Sequence, residues 1–185
     1  MDAEQQAFQE QIDRATGQLL DTVSGFTDSD VAEPSLLPGW TRAHVLTHLA
    51  RGAEALLNLL VWARTGIETP AYASKQARDA AIEEGARRGA ADLLTDVTTA
   101  AMALRSEAVS LPDEAWQVPV QALNIPAFPA AQVLTRRLVE VVLHHTDLGA
   151  GYGPAGWPAE FAAMGLPEPM RSQREDRVRG TASGG

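Results

Sequence analysis

All four histidines of this chain lie in two short stretches, which carry most of its metal-binding potential. His44 and His48 are four residues apart in RAHVLTHLA, and Glu140 precedes His144 and His145 in RRLVEVVLHHTDLG. In a helix, residues four apart lie on one face, about one turn from each other. Two such helices packed face to face predict a site for a divalent metal ion.

The helix expected to carry His44 and His48 has an apolar face that is centred on Val45, Leu49, Gly52 and Leu56. At ~100° per residue, His48 lies about 60° from that centre and His44 lies about 100° away. His48 is therefore the better candidate for a buried ligand. His44 also fits a partly exposed position in the first turn of the helix.

The helix expected to carry the second stretch is apolar around most of its circumference and has one polar seam. Arg136, Glu140, His144 and Asp147 fall within roughly 80° of arc. In one interpretation the seam faces solvent and contains an Arg136–Glu140 ion pair. In the other it faces inward, Glu140 and His144 bind metal, and Asp147 orients a ligand. His145 points nearer the apolar centre and fits a core position.

The set His48, Glu140 and His144 supplies three ligands from two helices. A fourth position is then open for water or substrate, which separates a catalytic zinc site from a closed structural one. The alternative is a closed site with four protein ligands, completed by His44 or His145.

The amino-acid composition excludes several kinds of site and partner. The length of 185 residues fits one domain, and the absence of cysteine excludes disulfides, cysteine-ligated zinc and a thiol nucleophile of the protein itself. Sulfur chemistry would need a thiol cosubstrate. A net charge of -9 argues against nucleic acid or an anionic membrane surface as partner.

The N-terminal segment lacks the basic and apolar regions of a signal peptide, and no apolar run reaches the ~18 residues of a membrane span. We therefore expect a cytoplasmic protein. Lys75 is the only lysine among 15 lysine and arginine residues, a bias typical of a GC-rich genome.

The apolar periodicity predicts an all-α fold, an antiparallel four-helix bundle with its metal site between the second and fourth helices. We expect this domain to cover residues 1–165 and a disordered polar tail to cover 166–185. A short extended crossover is expected near Trp116, Val118 and Val120. The predicted helices cover 4–24, 41–65, a segment that starts in the polar stretch after 66 and ends before Pro112, and 129–148.

Two motifs resemble a known family. SLLPGWTRAHVLTHLARGAEAL, followed about ninety residues later by RRLVEVVLHHTDLG, is similar to the N-terminal domain of the mycothiol-dependent maleylpyruvate isomerase family. That family belongs to the DinB-like superfamily of metal-binding four-helix bundles. The resemblance covers about residues 5 to 165 and implies zinc ligands at His48, Glu140 and His144.

The resemblance also implies a chemistry in which zinc binds the thiol of mycothiol, the low-molecular-weight thiol of actinobacteria. The thiolate then adds or transfers to a small electrophile, as in an isomerase or a mycothiol S-transferase. Asp147 and Arg136 are candidates for orienting a ligand or binding substrate. Family members carry a second, C-terminal domain, whereas the sequence here continues past residue 165 as a short polar segment.

Two alternatives to a thiol-dependent enzyme stay open. A metal-dependent hydrolase on the same bundle would turn over without added thiol. A non-catalytic metal-binding module would have a closed site. The expected partners are a small electrophile and a small thiol, and a homodimer is left open.

Overall fold

The computed structural model describes residues 1–123 and 125–182. The fold is all-α apart from one two-stranded ribbon, as the sequence predicts. The α-helices are α1 Ala3–Ser24, α2 Asp28–Ala32, α3 Arg42–Thr65, α4 Lys75–Gly85, α5 Ala90–Ser110, α6 Gln132–Asp147, α7 Ala159–Ala163 and α8 Met170–Ala182. The strands are β1 Pro119–Val120 and β2 Phe128–Pro129, and short 3-10 helices cover Asp113–Gln117 and Pro154–Gly156.

Four long helices form the bundle, because α3 packs against both α5 and α6 and α1 packs against the same two helices. The core between them is lined by buried leucine, valine and alanine side chains. Within residues 1–123 and 125–182, no helix combines the length and the hydrophobicity needed to cross a membrane.

Neighbouring helices in the bundle do not all run antiparallel. The ion pairs Arg51–Asp96 and Arg64–Glu107 join α3 to α5. Residue numbers increase in the same direction along both helices, so the two helices are parallel. This parallel pair requires a long connection, which the segment containing α4 supplies.

α3 and α6 do run antiparallel. Arg42 at the start of α3 donates to Leu148 O just beyond the end of α6, and Arg137 near the start of α6 donates to Leu49 O. The N-terminal part of α3 therefore faces the C-terminal part of α6. This orientation brings the two histidine-containing stretches together.

α3 has strong signals at both ends, and the predicted boundaries at Thr41 and Gly66 are confirmed. Thr41 is the N-cap, and its backbone N–H donates to His44 Nδ1 at 3.2 Å. Gly66 ends the helix with φ 71°, a left-handed conformation in which glycine meets no steric penalty.

The predicted third helix is two helices, α4 and α5, separated by residues 86–89. Gly89 is the N-cap of α5, and Asp28 Oδ1 accepts a hydrogen bond from Ala90 N at 2.8 Å. A Cβ on Gly89 would lie 2.7 Å from that oxygen and would displace the capping carboxylate, so glycine favours this close approach. The prediction missed the break because the cap comes from a distant part of the chain.

α6 begins three residues later than the predicted start at Pro129. Pro129 instead pairs with Pro119, and Phe128 pairs with Val120, in the antiparallel ribbon. The predicted crossover is therefore confirmed at Val120, whereas Trp116 lies in the 3-10 helix before the ribbon and is not extended. The ribbon sets where α6 can begin.

The C-terminal segment differs most from expectation. Residues 166–185 were expected to be a disordered tail, yet Met170–Ala182 forms α8, while 183–185 lie outside the described residues. Arg174 donates to Phe161 O at 2.7 Å and to Met164 O at 2.8 Å, and Met170 is buried. These contacts hold a helix whose own sequence has almost no apolar periodicity.

Candidate metal centre

The candidate metal centre lies where the start of α3 faces the end of α6. His48 Nε2 lies 3.0 Å from His144 Nε2 and 3.1 Å from Glu140 Oε2, and the latter two atoms are 3.3 Å apart. Among residues 1–123 and 125–182, these are the one group of three or more metal-ligand side chains found together.

The three atoms fit the ligand spacing of a divalent metal ion. Ligand atoms ~2.0–2.1 Å from a tetrahedral zinc lie about 3.3 Å from one another, close to the observed separations. Glu140 Oε2 is buried and has no hydrogen bond of good geometry within the described residues. A cation would satisfy this oxygen and both imidazole nitrogens, and two nitrogens with one carboxylate suit zinc and similar ions.

Opposite effects act on the titrating groups here. Burial favours the neutral form of Glu140, but the imidazoles of His144 and His48 outweigh it and hold the pKa of Glu140 well below its ordinary value. Burial also lowers the pKa of His48. Burial opposes the charging of His144, yet Asp147 and Glu140 raise its pKa to about 9. Without metal, the centre therefore holds a carboxylate and an imidazolium, and metal binding must displace a proton.

A hydrogen-bonded layer surrounds the three side chains. Asp147 Oδ2 lies 2.8 Å from His144 Nδ1, and its carboxylate also accepts from Arg177 on α8. Burial favours the neutral form of Asp147, but His144 and Arg177 outweigh it and lower its pKa. On the α3 side, Arg78 Nη2 lies 3.3 Å from His48 Nδ1. Asp147, which the sequence suggested as a residue that orients a ligand, thus contacts His144 directly.

A cavity of about 360 Å³ opens beside His48 and Glu140. Its apolar wall includes side chains from α3, from the segment before α4 and from the loop after β1. Besides His48 and Glu140, its polar lining consists of Tyr72, Lys75, Arg78, Arg136 and Gln173, three of which are basic. The cavity therefore suits a small ligand that combines an apolar part with negative charge.

Arg136 lies one turn before Glu140 but does not form the ion pair of the solvent-face interpretation in the described structure. Its guanidinium instead stacks on Phe128, 3.9 Å from the ring centroid. Its Nε is buried without a hydrogen-bond partner among the described residues. Arg136 thus presents an incompletely satisfied cation to the cavity.

The other two histidines lie outside the centre. His44 stacks on Trp40 and its Nδ1 lies 2.7 Å from Thr41 Oγ1, so it belongs to the cap of α3. His145 stacks on Tyr152 and its Nε2 lies 2.8 Å from Thr22 Oγ1. Neither completes a four-ligand site within the described residues, which removes the support for a closed site.

Several residues around the centre were not predicted from the sequence. Arg78 and Tyr72 come from the segment interpreted as a loop and the start of a third helix. Gln173 and Arg177 come from the segment expected to be disordered. Trp40, whose ring lies edge-on 5.6 Å from that of His48, belongs to the PGWT motif, which was a usable signal.

Comparison with known proteins gives a family match over most of the chain. The family model described as the mycothiol maleylpyruvate isomerase N-terminal domain matches residues 12–149. A search of curated proteins found no significant match.

Solved structures give a second comparison. The chain is similar to the crystal structure of the mycothiol-dependent maleylpyruvate isomerase, with 30% identity and a TM-score of 0.82. A histidine-to-alanine mutant of that enzyme gives 30% identity and a TM-score of 0.81. In both cases the match covers 85% of this chain and 65% of the other chain. By the family model, which spans most of its length, the chain belongs to the mycothiol maleylpyruvate isomerase N-terminal domain family.

Proposed function

We propose that this protein is a metal-dependent enzyme that activates the thiol of mycothiol for addition or transfer to a small electrophile. His48, Glu140 and His144 would hold zinc or a similar divalent ion. The observation that carries the proposal is the convergence of three ligand atoms next to a cavity that His48 and Glu140 line. Among the described residues, the group contains no fourth protein ligand. Family membership supports the choice of mycothiol as the thiol.

The bound metal would supply Lewis acidity, which keeps a neighbouring thiol deprotonated near neutral pH. The protein has no cysteine, so the nucleophilic sulfur belongs to the cosubstrate. Asp147 accepts from His144 Nδ1–H at 2.8 Å, which selects the tautomer with a free lone pair on Nε2. The charge of Glu140 complements the cation.

The basic lining of the cavity suits an anionic electrophile. Arg136 has an unsatisfied Nε beside Glu140 and is the first candidate to bind a substrate carboxylate. When His48 uses Nε2 as a ligand, its proton lies on Nδ1, so Arg78 can no longer donate there. Arg78 Nη2 can then donate to a second anionic group, while Nη1 keeps its ion pair with Asp79 at 2.9 Å.

Two reactions fit the same arrangement. In isomerisation, sulfur adds to an alkene carbon while the π electrons move to the conjugated carbonyl. The resulting single bond rotates, and expulsion of the thiolate restores the alkene in trans geometry without consuming thiol. In an S-transferase, sulfur displaces a leaving group, which departs with the bonding electron pair.

A paired activity assay tests the proposal. The zinc-loaded protein is assayed with and without mycothiol, against maleylpyruvate and against an alkylating electrophile. We expect turnover only with mycothiol, loss of turnover in His48→Ala and retention in His44→Ala, which alters the same helix one turn away. Turnover in thiol-free buffer would indicate a hydrolase, and metal binding without turnover would indicate a non-catalytic module.

Cobalt substitution separates thiol binding from turnover. Adding mycothiol to the cobalt-loaded protein should produce a thiolate-to-metal charge-transfer band. The same band is expected in His44→Ala and should be missing in His48→Ala. A spectrum unchanged by mycothiol in the unmodified protein would contradict the proposed role of the thiol.

A further inference from the structure

The C-terminal helix α8 packs on α6, the helix that carries Glu140 and His144. Pro169, Met170 and Gln173, at and just before the start of α8, line the cavity beside the candidate metal centre. A segment remote in sequence from the two motifs thus forms part of the cavity wall.

One side chain of α8 reaches the layer behind the candidate ligands. Arg177 Nη2 donates to Asp147 Oδ2 at 2.8 Å, and Arg177 Nε donates to Asp147 Oδ1 at 3.1 Å. In this two-pronged geometry, called the fork below, a guanidinium fixes the plane of a carboxylate. The Asp147 side chain is only 4% exposed and that of Arg177 is 17% exposed, so water screens the pair weakly.

The same Asp147 oxygen also contacts His144. Asp147 Oδ2 lies 2.8 Å from His144 Nδ1, and the other ring nitrogen of His144 belongs to the three-atom cluster. An unbroken series of contacts therefore runs from α8 through Asp147 to a candidate ligand atom. In metal sites, the partner of the non-ligating imidazole nitrogen sets the orientation and basicity of the ring.

We propose that Arg177 is a positioning residue of the metal centre, which acts through Asp147 on His144 and makes α8 a working part of the site. This inference rests on the proposed metal-binding function and deepens it. With the fork in place, the Asp147 carboxylate has one orientation, and the His144 ring is held with Nε2 towards Glu140 and His48. Without it, the Asp147 carboxylate keeps its contact with His144 Nδ1 but can rotate.

Metal affinity tests the proposal with cobalt(II) alone as the probe. Arg177→Met removes the fork but keeps much of the apolar stem, and we expect it to weaken cobalt binding about tenfold in a chelator competition. Arg177→Lys keeps the charge without the two-pronged geometry and should fall between Arg177→Met and the unmodified protein. Arg179→Met, on the same helix but paired with Asp176, should bind cobalt like the unmodified protein.

A double-mutant cycle distinguishes positioning from general stabilisation of the fold. In an Asp147→Asn background, Arg177→Met should weaken cobalt binding by about twofold or less, since its route to His144 is already broken. Equal cobalt affinity in Arg177→Met and the unmodified protein would overturn the proposal. Undiminished weakening in the Asp147→Asn background would overturn it as well.

The remaining outcomes are also decisive. If Arg177→Met does not fold, the order of cobalt affinities between Arg177→Lys and the unmodified protein decides the question, and equality overturns the proposal. If the unmodified protein binds no cobalt, both the proposed function and this inference fail. If it binds cobalt and the Arg177 variants match it, only this inference fails.

Discussion

His144 and His145 are neighbours at the end of α6, yet they enter two different environments. Burial lowers the pKa of both imidazoles, and that of His145, which stacks on Tyr152, falls to about 4. Asp147 and Glu140 reverse the effect of burial for His144 and raise its pKa to about 9. Because both imidazoles are buried, the difference in pKa between the candidate ligand and the core histidine comes from the carboxylate partners of His144.

Arg136 and Arg137 repeat the contrast near the start of α6. Arg137 is 2% exposed, donates to Leu49 O at 3.0 Å, and burial lowers its pKa to about 10. Arg136 lines the cavity beside the candidate metal centre. One arginine links α6 to α3 inside the bundle, and its neighbour is available to a ligand.

The largest expected effect is the loss of metal in Glu140→Ala. This change removes a ligand and the only carboxylate of the cluster, so metal affinity should fall about a thousandfold or more. Metal analysis after dialysis and a cobalt titration measure the loss. Glu83→Ala, which removes an exposed carboxylate on α4, is the matched control. Retention of metal by Glu140→Ala would remove Glu140 from the ligand set.

Substitutions of the two adjacent histidines should differ almost as strongly in their effect on metal affinity. His144→Ala is expected to weaken metal binding by about a hundredfold, whereas His145→Ala leaves it nearly unchanged. His145→Ala instead loses the Tyr152 stack and the Thr22 contact, which costs about 1–3 kcal/mol of unfolding free energy. Competition with a chelator and urea unfolding of the metal-free protein measure the two effects. The reverse order would make His145 the ligand in place of His144.

The same pair should shape the pH dependence of the metal-free protein. The folded pKa of His144 is raised from 6.5 to about 9, so its stabilising contribution is complete below pH 6.5 and is lost as pH rises towards 9. The folded pKa of His145 is lowered from 6.5 to about 4, so its contribution is present above pH 6.5 and is lost as pH falls towards 4.

Urea unfolding across this pH range tests the assignment. His144→Gln should flatten the alkaline decline and His145→Gln should reduce the acid decline, each by about 1 kcal/mol or more. Metal affinity should also rise with pH up to about 9, as the proton on His144 becomes easier to displace. An alkaline decline that persists in His144→Gln would assign it to another group.

The smallest expected effect distinguishes the two arginines. Arg136→Met should raise the KM for an anionic electrophile by about tenfold and leave kcat and unfolding free energy nearly unchanged. Arg137→Met should leave KM unchanged, and its stability should stay close to that of the unmodified protein because it relieves the burial of a cation. Steady-state kinetics with an uncharged electrophile is the control, since neither variant should then alter KM.

The sequence alone determined the features that follow from local helix geometry. The four-residue spacing of Glu140 and His144 places both on one face of α6, and the apolar pattern of α3 ranks His48 above His44. Thr41 and Gly66 mark the ends of α3 because capping depends on neighbouring residues. The predicted triad therefore needed only two amphipathic helices in contact.

Only the tertiary structure decided features that depend on groups distant in sequence. Asp28 caps α5 from 62 residues away and breaks the predicted third helix, and Arg177 reaches Asp147 across 30 residues. α8 has almost no apolar periodicity, so its order comes from contacts with the bundle. Local propensity cannot encode such contacts, because their free energy exists only once the partner segment is in place.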